Sequence, residues 1–408
     1  FAAKGEAALS ALWKDVEKEA DVKDVHVSVM PLNANNAALV RRYVKWTAPT
    51  ACGTKGASIG FSDWLGEADA VVAELFGKRQ LKPVLVDFTT EDSEALQRYF
   101  VQAVDTATWG VLEEGYKEGY GANAAGLKTE EEIVKALLYG YSMIGFDCSD
   151  KIDLGIEKLS DEAVDKRFEQ FNETFRAALH ASYLNAEFKV GTSKITFTEN
   201  QLHRIVLEYG EAIMHIQFIY NSYLKNTPWD IDFELDLSKP GKVLTPQEHY
   251  LIGNELQRNG IKLSSICLDP LKDSEAVNDN LQLHCEIADT FGYRLSFKNA
   301  DIAMNDTAAA MKYLKGKVHF KMNNILWMSA IELVKALDAD LFGKLCAACG
   351  CEATADAADR ALVLGYRKAL NPKEESNVAA DMKAFLEAHH AEYAAAIKEN
   401  VAAKLKNI

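Results

Sequence analysis

The chain has 408 residues, of which 48% are hydrophobic and 10% aromatic, so it can bury one large core or two medium ones. Its 60 acidic against 45 basic residues give a formal charge of −15, which argues against non-specific nucleic-acid binding, because that binding needs a cationic face. No stretch approaches 18 consecutive apolar residues, which excludes a transmembrane helix.

Seven cysteines, an odd number in a chain of this length, predict a protein of the reducing cytoplasm. Three of them, Cys346, Cys349 and Cys351, lie close together without a fourth ligand nearby, so we interpret them as small apolar residues rather than a zinc site. Residues 1–20 have the pattern of an amphipathic helix rather than of a signal peptide, and residues 24–32 the pattern of an accessory strand.

From residue 55 onward, short apolar runs alternate with segments of helical pattern. The eight predicted strands lie at 55–61, 82–88, the start of 119–138, 141–146, 229–237, 262–268, 293–299 and 317–323. Predicted helices between them include 67–77, 91–109, 245–260, 273–291 and 307–315. One segment, 158–225, interrupts this alternation with two long amphipathic helices around a strand-like stretch at 194–198.

Eight strand–helix units without a glycine-rich phosphate-binding fingerprint predict an α/β fold of the (β/α)8 TIM-barrel class rather than a Rossmann sheet. We divide the chain into an N-terminal accessory segment at 1–54, a barrel domain at 55–345 and a C-terminal helical extension at 346–408. The helical insertion 158–225 follows the fourth strand.

Two stretches suggest where the chemistry lies. The apolar run that starts at Tyr141 ends in short polar side chains from Asp147 to Asp153, at the end of a strand where barrel enzymes keep their active sites. A turn that merely caps the next helix is the alternative. In 229–237, strict alternation puts Asp232, Glu234 and Asp236 on one strand face. On an open sheet that face would be exposed to water, whereas in a closed barrel it points into the lumen or the mouth.

Strand ends supply the other candidates. Together the ends of strands two, four, five, seven and eight offer Asp87, Asp147, Asp150, Lys151, Glu234, Asp236, Lys298, Asp301, His319 and Lys321. Only one histidine, His319, lies at such an end, whereas a histidine-held metal would want at least two. We expect His249 and His284 to serve packing or to lie on the surface. Carboxylates with lysines suit proton transfer on a polyhydroxylated substrate.

From about residue 56 to 345 the chain resembles the tagaturonate epimerase family of bacterial hexuronate catabolism. The segments that carry the resemblance are GASIGFSDWLG, ATWGVLEEGYKEGYGANAAGLKTEEEI, GYSMIGFDCSDKID, DIDFELDL with LTPQEHYLIGNEL, HCEIADTFGYRLSFKNAD and KVHFKMNNILWMSAIELV. The resemblance implies a metal-dependent TIM barrel that inverts one hydroxyl-bearing carbon of a keto-uronate.

The resemblance also assigns residues. It implies that the acid/base pair is Asp150 and Glu234, and that the His-x-Lys pattern after strand eight survives as His319 and Lys321. The family's Asp-His after strand four is Asp150-Lys151 here, and its histidine after strand seven is Lys298. Two family metal ligands are therefore lysines in this chain. Behind Glu234, the family's Asp-Glu-Thr becomes 237–239, Leu-Ser-Lys.

These replacements bear on the cofactor. The resemblance implies a divalent metal, Zn²⁺ or Mn²⁺, but a protonated lysine has no lone pair for a metal, and two ammonium groups repel a dication. We therefore expect a purified protein without tightly bound metal, whose activity survives a chelator. The predicted substrate-binding residues are Asp87, Lys151, Lys298, His319 and Lys321.

The predicted function is a cytoplasmic epimerase or isomerase acting on a small sugar acid, without nucleic-acid or membrane partners; assembly into a homo-oligomer stays open. One alternative is an aldolase-like enzyme that forms a Schiff base on Lys151 or Lys298. A second alternative is a sugar-acid-binding paralogue without catalysis.

Overall fold

The computed structural model of the chain describes residues 2–3, 13–23, 25–77, 79, 81–237, 244–271, 274–304, 307–357, 359–406 and 408. Its centre is a closed barrel of eight parallel strands. In chain order these are β4 (Ser58–Phe61), β5 (Lys82–Thr89), β6 (Gly121–Leu127), β7 (Met143–Asp147), β10 (Asp232–Asp236), β11 (Ser265–Leu268), β12 (Arg294–Phe297) and β13 (Val318–Met322). The last strand, β13, pairs with β4 and closes the barrel, with His319 opposite Ser58. The predicted (β/α)8 fold is confirmed.

Each barrel strand buries both faces, but with different chemistry. Apolar side chains that alternate along the strands, such as Ile144, Phe146, Phe233 and Leu235, belong to the hydrophobic core shared with the surrounding helices. The alternate positions are largely polar and still buried: Ser58, Asp87, Asn123, Asp232, Glu234, Asp236, Ser265, Arg294, Ser296, His319 and Lys321. The period of two therefore produces a polar lumen inside an apolar shell.

Helices surround the barrel. They are α1 (Ala34–Tyr43), α2 (Asp69–Phe76), α3 (Thr90–Leu96), α4 (Phe100–Glu114), α5 (Glu130–Leu138), α6 (Asp161–Phe168), α7 (Glu173–Tyr183), α8 (Glu199–Ile219), α9 (Pro246–Arg258), α10 (Ser274–Phe291), α11 (Ala300–Ala303), α12 (Thr307–Tyr313), α13 (Ile325–Leu337), α14 (Ala339–Cys349), α15 (Arg360–Leu364), α16 (Tyr366–Ala369), α17 (Ala379–Ala388) and α18 (His390–Leu405). None of the described helices is long and apolar enough to cross a membrane.

The prediction of one helix over 91–109 was wrong. The segment divides into α3 and α4 because Gln97 takes a left-handed backbone conformation, with φ of 51°, which a helix cannot continue through. Oε1 of Gln102 then accepts a hydrogen bond from the backbone N–H of Tyr99 at 2.8 Å, which caps the N-terminus of α4.

The insertion between β7 and β10 holds more elements than predicted. Three helices, α6, α7 and α8, replace the two expected, and α8 continues into a π-helical turn at Tyr220–Leu224. The strand-like stretch at 194–198 forms only the second arm of a hairpin, β9 (Ser193–Ile195), paired with β8 (Phe188–Val190). Thr198 instead caps α8, accepting the backbone N–H of Gln201.

The N-terminal prediction was partly wrong. Of the helix expected over 1–20, residues 4–12 lie outside the described part, but Lys18–Val22 is a strand, β2. It pairs antiparallel with β3 (Val25–Val29), which matches the accessory strand, and β1 (Ala2–Ala3) lies on the other side of β3. The α1 helix was not predicted; Arg41 ties it to Asp105 of α4 at 2.7 Å.

Other contacts join the outer segments to the barrel domain. The carboxylate of Asp232, at the N-terminal end of β10, accepts the backbone N–H of Cys52 at 2.6 Å and of Gly53 at 3.1 Å, so residues 52–53 lie against the bottom of the barrel. At the other end of the chain, Tyr393 of α18 donates to the carbonyl of Leu326 in α13 at 3.2 Å. The three-part division at 54 and 345 stays a prediction.

Candidate active site

Lys321 lies at the centre of the polar lumen. Its Nζ is 2.5 Å from Oε1 of Glu234 and 3.5 Å from Oδ1 of Asp87, and all three side chains are at most 3% exposed. Lys321 is on β13, whereas Glu234 is on β10 and Asp87 on β5, and none of these strands are neighbours of β13. These ion pairs therefore cross the barrel interior.

His319 extends this cluster along β13. Its Nδ1 is 2.8 Å from the hydroxyl of Ser58, which also accepts a hydrogen bond from Nη1 of Arg294 at 2.8 Å. Its Nε2 lies 3.7 Å from Oδ2 of Asp87, too far for a direct hydrogen bond. We call Asp87, Glu234, His319 and Lys321 the lumen cluster.

The charges in the lumen cluster hold one another ionised. Burial alone would raise the pKa of Asp87, but Lys321 and His319 outweigh it and hold that pKa at about 2. Burial opposes ionisation of Glu234 as well, and the same two neighbours lower its pKa. For Lys321, burial is outweighed by Asp87 and Glu234, which raise its pKa well above its ordinary value. Two carboxylates thus face one ammonium group.

Several polar atoms in the lumen keep unused hydrogen-bonding capacity. Asp87 Oδ2, Asn123 Oδ1, Ser296 Oγ and His319 Nε2 are buried and make no hydrogen bond within the described part of the chain. Buried polar atoms are normally satisfied, so a set of four around one cluster marks a place where a polar ligand can bind. Acceptors beside an imidazole and a hydroxyl suit a ligand rich in hydroxyl groups.

A glycine makes this arrangement possible on β4. A Cβ at Gly60 would lie 2.4 Å from Asp87 Oδ2 and 3.2 Å from Cε1 of His319. Any larger residue would therefore displace the two groups that carry unsatisfied atoms.

Lys298 pairs with a different carboxylate. Just after β12, its Nζ contacts Oδ2 of Asp236, at the end of β10. Burial alone would lower the pKa of Lys298, but Asp236 raises it well above its ordinary value. The side chain is therefore a fixed ammonium group near the carboxyl end of the barrel.

The acids after β7 lie in a more exposed setting. Asp150 is on a 3-10 turn, Ser149–Lys151, with 67% of its side chain exposed, 3.3 Å from Nζ of Lys128. Lys128 also lies 3.6 Å from Asp147. Lys151 pairs with Glu211 of α8 at 2.9 Å. The structure thus puts Asp150 at the solvent-exposed rim and Glu234 deeper in the lumen, where it is buried, and the contacts of these two side chains do not join them.

Asp301, the remaining strand-end candidate, lies apart from these groups. It is buried and accepts the backbone N–H and the Nδ2–H of Asn324, at 2.9 and 3.2 Å. Burial raises its pKa to about 6 despite those hydrogen bonds. Its contacts are those of a residue that fixes the start of α13.

Comparison with known proteins places these features in a family. The tagaturonate epimerase family matches residues 2–393 of the chain. The chain belongs to the tagaturonate epimerase family. A curated relative, the tagaturonate/fructuronate epimerase of Thermotoga maritima, is 27% identical over 324 residues, which cover 77% of this chain and 66% of the relative's own length.

Solved structures of the family share the whole fold. A native crystal structure of fructuronate-tagaturonate epimerase from Cohnella laeviribosi matches this chain with a TM-score of 0.85 at 25% identity. The match covers 98% of this chain and 89% of that enzyme's chain. A glycerol complex of the same enzyme reaches a TM-score of 0.87 at 24% identity, with the same coverage.

The barrel residues do not fit the divalent metal that the family resemblance implies. Glu234 already faces the ammonium of Lys321, and Asp236 that of Lys298, and neither protonated lysine has a lone pair to offer. Among the described residues, three donor atoms of His, Cys, Asp or Glu within 4.8 Å of one another occur in the helical insertion and not in the barrel. Lys321 takes the place of a cation between the carboxylates.

The sequence predicted some of the residues of this site and not others. Of the seven predicted site residues, the structure brings together Asp87, Glu234, His319 and Lys321, while Lys298 lies in a second pair and Asp150 and Lys151 at the rim. Sequence reasoning missed residues that complete the surroundings: Ser58, Gly60, Asn123, Lys128, Arg294 and Ser296. The period-two pattern carried by Arg294, Ser296 and Lys298 is a signal that could have found Arg294.

Proposed function

We propose that the chain is a sugar-acid epimerase that interconverts tagaturonate and fructuronate, the keto-hexuronates named in its curated relative. The observation that carries the proposal is the lumen cluster: a buried ammonium group between two carboxylates, surrounded by unsatisfied polar atoms that suit a polyhydroxylated ligand. A reducing cytoplasm is the compartment we propose, since all seven cysteines are thiols.

The chemistry must invert a hydroxyl-bearing carbon that is β to a ketone, which removal of one α-proton cannot achieve. We favour a retro-aldol route. A carboxylate takes the proton of the β-hydroxyl, the bond between the α and β carbons breaks, and the electron pair goes to the ketone oxygen as an enolate. The aldehyde rotates, the bond forms again on its other face, and the proton returns.

The residues divide these tasks by charge. Glu234 is a buried carboxylate that stays ionised, so it can accept the hydroxyl proton. Lys321 keeps its positive charge and can stabilise the enolate oxygen, the task that a metal performs elsewhere in such chemistry. The Schiff-base alternative is not favoured, since the raised pKa of Lys298 leaves it without a nucleophilic lone pair.

Asp150 is proposed as the second member of the acid/base pair, provided that its carboxylate can reach the substrate. It is exposed beside Lys128, so its carboxylate must reach the substrate from the rim, by movement of the turn at 149–151. Asp87 and His319 are proposed to bind substrate hydroxyl groups through Oδ2 and Nε2.

A conversion assay in D₂O tests this function. Purified protein is mixed with tagaturonate, and ¹H and ¹³C NMR follow the appearance of fructuronate; the reverse reaction is followed in the same way. The retro-aldol route predicts conversion without deuterium at the α or β carbon, because neither carbon loses its hydrogen. Deuterium at the α carbon would contradict the route, and absence of conversion in both directions would contradict the function.

A further inference from the structure

A second cluster of ionisable side chains lies outside the barrel, within the helical insertion. His180 is in the last turns of α7, and Glu199 and His203 are on α8, four residues apart and so on one helix face. Their ligand atoms all lie within 4.8 Å of one another. Asp165 of α6 reaches the same place, so three helices meet at this cluster.

The hydrogen bonds prepare one histidine for a metal. Oδ1 of Asp165 lies 2.7 Å from Nδ1 of His203, and a carboxylate can only accept, so Nδ1 carries the proton. The lone pair of His203 is then on Nε2, which points at Nε2 of His180, 2.8 Å away. A carboxylate that fixes the tautomer of a histidine in this way is typical of zinc ligands.

Packing holds the two rings in position. The ring of Phe168 stacks on His203, with centroids 3.7 Å apart and planes 14° apart, and lies parallel to His180 at 5.5 Å. His203 is 5% exposed, His180 is half-buried and Glu199 is exposed. The cluster is therefore built on a rigid wall and open on one side, where water can serve as a fourth ligand.

We propose that His180, Glu199 and His203 form a zinc site that joins α7 to α8 outside the barrel. Two imidazoles and a carboxylate are a ligand set that Zn²⁺ accepts, and its bond lengths put two ligand nitrogens about 3.3 Å apart. The present 2.8 Å is a hydrogen bond between the rings, in which Nε2–H of His180 donates to His203. When zinc binds, His180 takes the other neutral tautomer, with its proton on Nδ1, so both Nε2 atoms present a lone pair to the ion and the rings separate by about half an ångström.

This proposal does not depend on the epimerase function. It changes the sequence-based expectation of a protein without tightly bound metal: the metal is expected on the insertion, while the lysine-occupied barrel stays without it. The role that the geometry gives the ion is structural, because it adds a link between α7 and α8 at the point where the rings of His180 and His203 already stack and share a hydrogen bond.

Zinc titration of the untagged, EDTA-treated chain tests the site. We expect one equivalent of Zn²⁺ to bind with micromolar affinity or better, measured by competition with a chromophoric chelator and by elemental analysis. His180→Gln and His203→Gln should each weaken binding at least 10-fold, and Asp165→Asn 10- to 100-fold, since it orients rather than ligates. His390→Gln, an exposed histidine on α18, is the matched control and should bind zinc as the unmodified chain does.

Thermal unfolding gives a second readout. Zinc should raise the Tm of the unmodified chain and of His390→Gln, but not of His180→Gln. If His203→Gln does not fold, Glu199→Gln and His180→Gln carry the test, because their side chains are less buried. Absence of zinc binding below 100-fold molar excess, or unchanged binding by the His180→Gln/Glu199→Gln double variant, would overturn the proposal.

Discussion

Lys321 and Glu234 form an ion pair across the interior of the barrel, with Nζ 2.5 Å from Oε1 and both side chains almost fully buried. An isolated charge at either position would be costly in such surroundings, so each group needs the other. In a family whose chemistry is expected to need a cation near this carboxylate, the cation here is part of the protein.

Removing the carboxylate of Glu234 should abolish most of the activity. Glu234→Gln keeps the shape but cannot accept a proton, so turnover of tagaturonate should fall roughly 10²- to 10⁴-fold. Glu131→Gln is the control, because Glu131 is exposed on α5 and pairs only locally with Lys135. Unchanged turnover in Glu234→Gln would remove this residue from the mechanism.

Removing the ammonium of Lys321 should destabilise the fold as well as the reaction. Lys321→Met leaves Asp87 and Glu234 facing each other in the lumen, and breaking a buried ion pair from one side costs about 3–5 kcal/mol. Urea unfolding at pH 7 measures the change in the free energy of unfolding. Adding Asp87→Asn to Lys321→Met should recover part of the loss; a double variant less stable than Lys321→Met would contradict the charge argument.

Glycine at position 60 should matter for function more than its size suggests. In Gly60→Ala the new Cβ meets Asp87 Oδ2 at 2.4 Å, so the carboxylate must move and its distance to His319 must change. We expect turnover to fall at least 10-fold. Gly56→Ala is the matched control, since a Cβ there meets nothing within 4 Å. Equal turnover in the two variants would show that Asp87 does not contribute.

The part of the site that the sequence predicted is the part set by local periodicity. Alternation over 229–237 put Glu234 on the same strand face as Asp232 and Asp236. In the structure β10 pairs with β7 in the closed barrel, and this face points inward. His319 and Lys321 follow the same rule on β13, two residues apart. Period-two arguments succeed here because a closed barrel has only an inside and an outside.

What the sequence did not predict depends on position around the barrel and on short turns. Strand order and stagger decide which lysine contacts which carboxylate, so the pairing of Lys298 with Asp236 had no local signal in the sequence. Asp150 faces outward because residues 149–151 form a 3-10 turn, whose three-residue period places neighbouring side chains on different sides.

Acid should weaken the fold partly through Asp87. Its pKa is about 2 in the folded protein, against 3.8 ordinarily, so the unfolded chain binds the proton more readily. The resulting stabilisation, about 2 kcal/mol, is fully present above pH 4 and is lost as the pH falls toward 2. We expect the difference in unfolding free energy between the unmodified chain and Asp87→Asn to shrink as the pH is lowered from 5 to 3. A difference that is constant with pH would contradict it.

Borohydride trapping separates the proposed chemistry from catalysis through a Schiff base. An imine forms only when a neutral amine attacks the ketone and water leaves, and borohydride then reduces the imine to a stable amine of higher mass. Lys298 and Lys321 are held as ammonium groups by Asp236 and by Asp87 with Glu234, and Lys151 lies at the rim against Glu211. We therefore expect the protein mass to stay unchanged after treatment with tagaturonate and borohydride.

Lys298→Met keeps the length of the side chain without the amine, and its tryptic map provides the control for that peptide. A sugar adduct on the peptide that contains Lys298 or Lys151, absent from the corresponding methionine variant, would show that the ion pairs open during the reaction and that the Schiff-base route is correct.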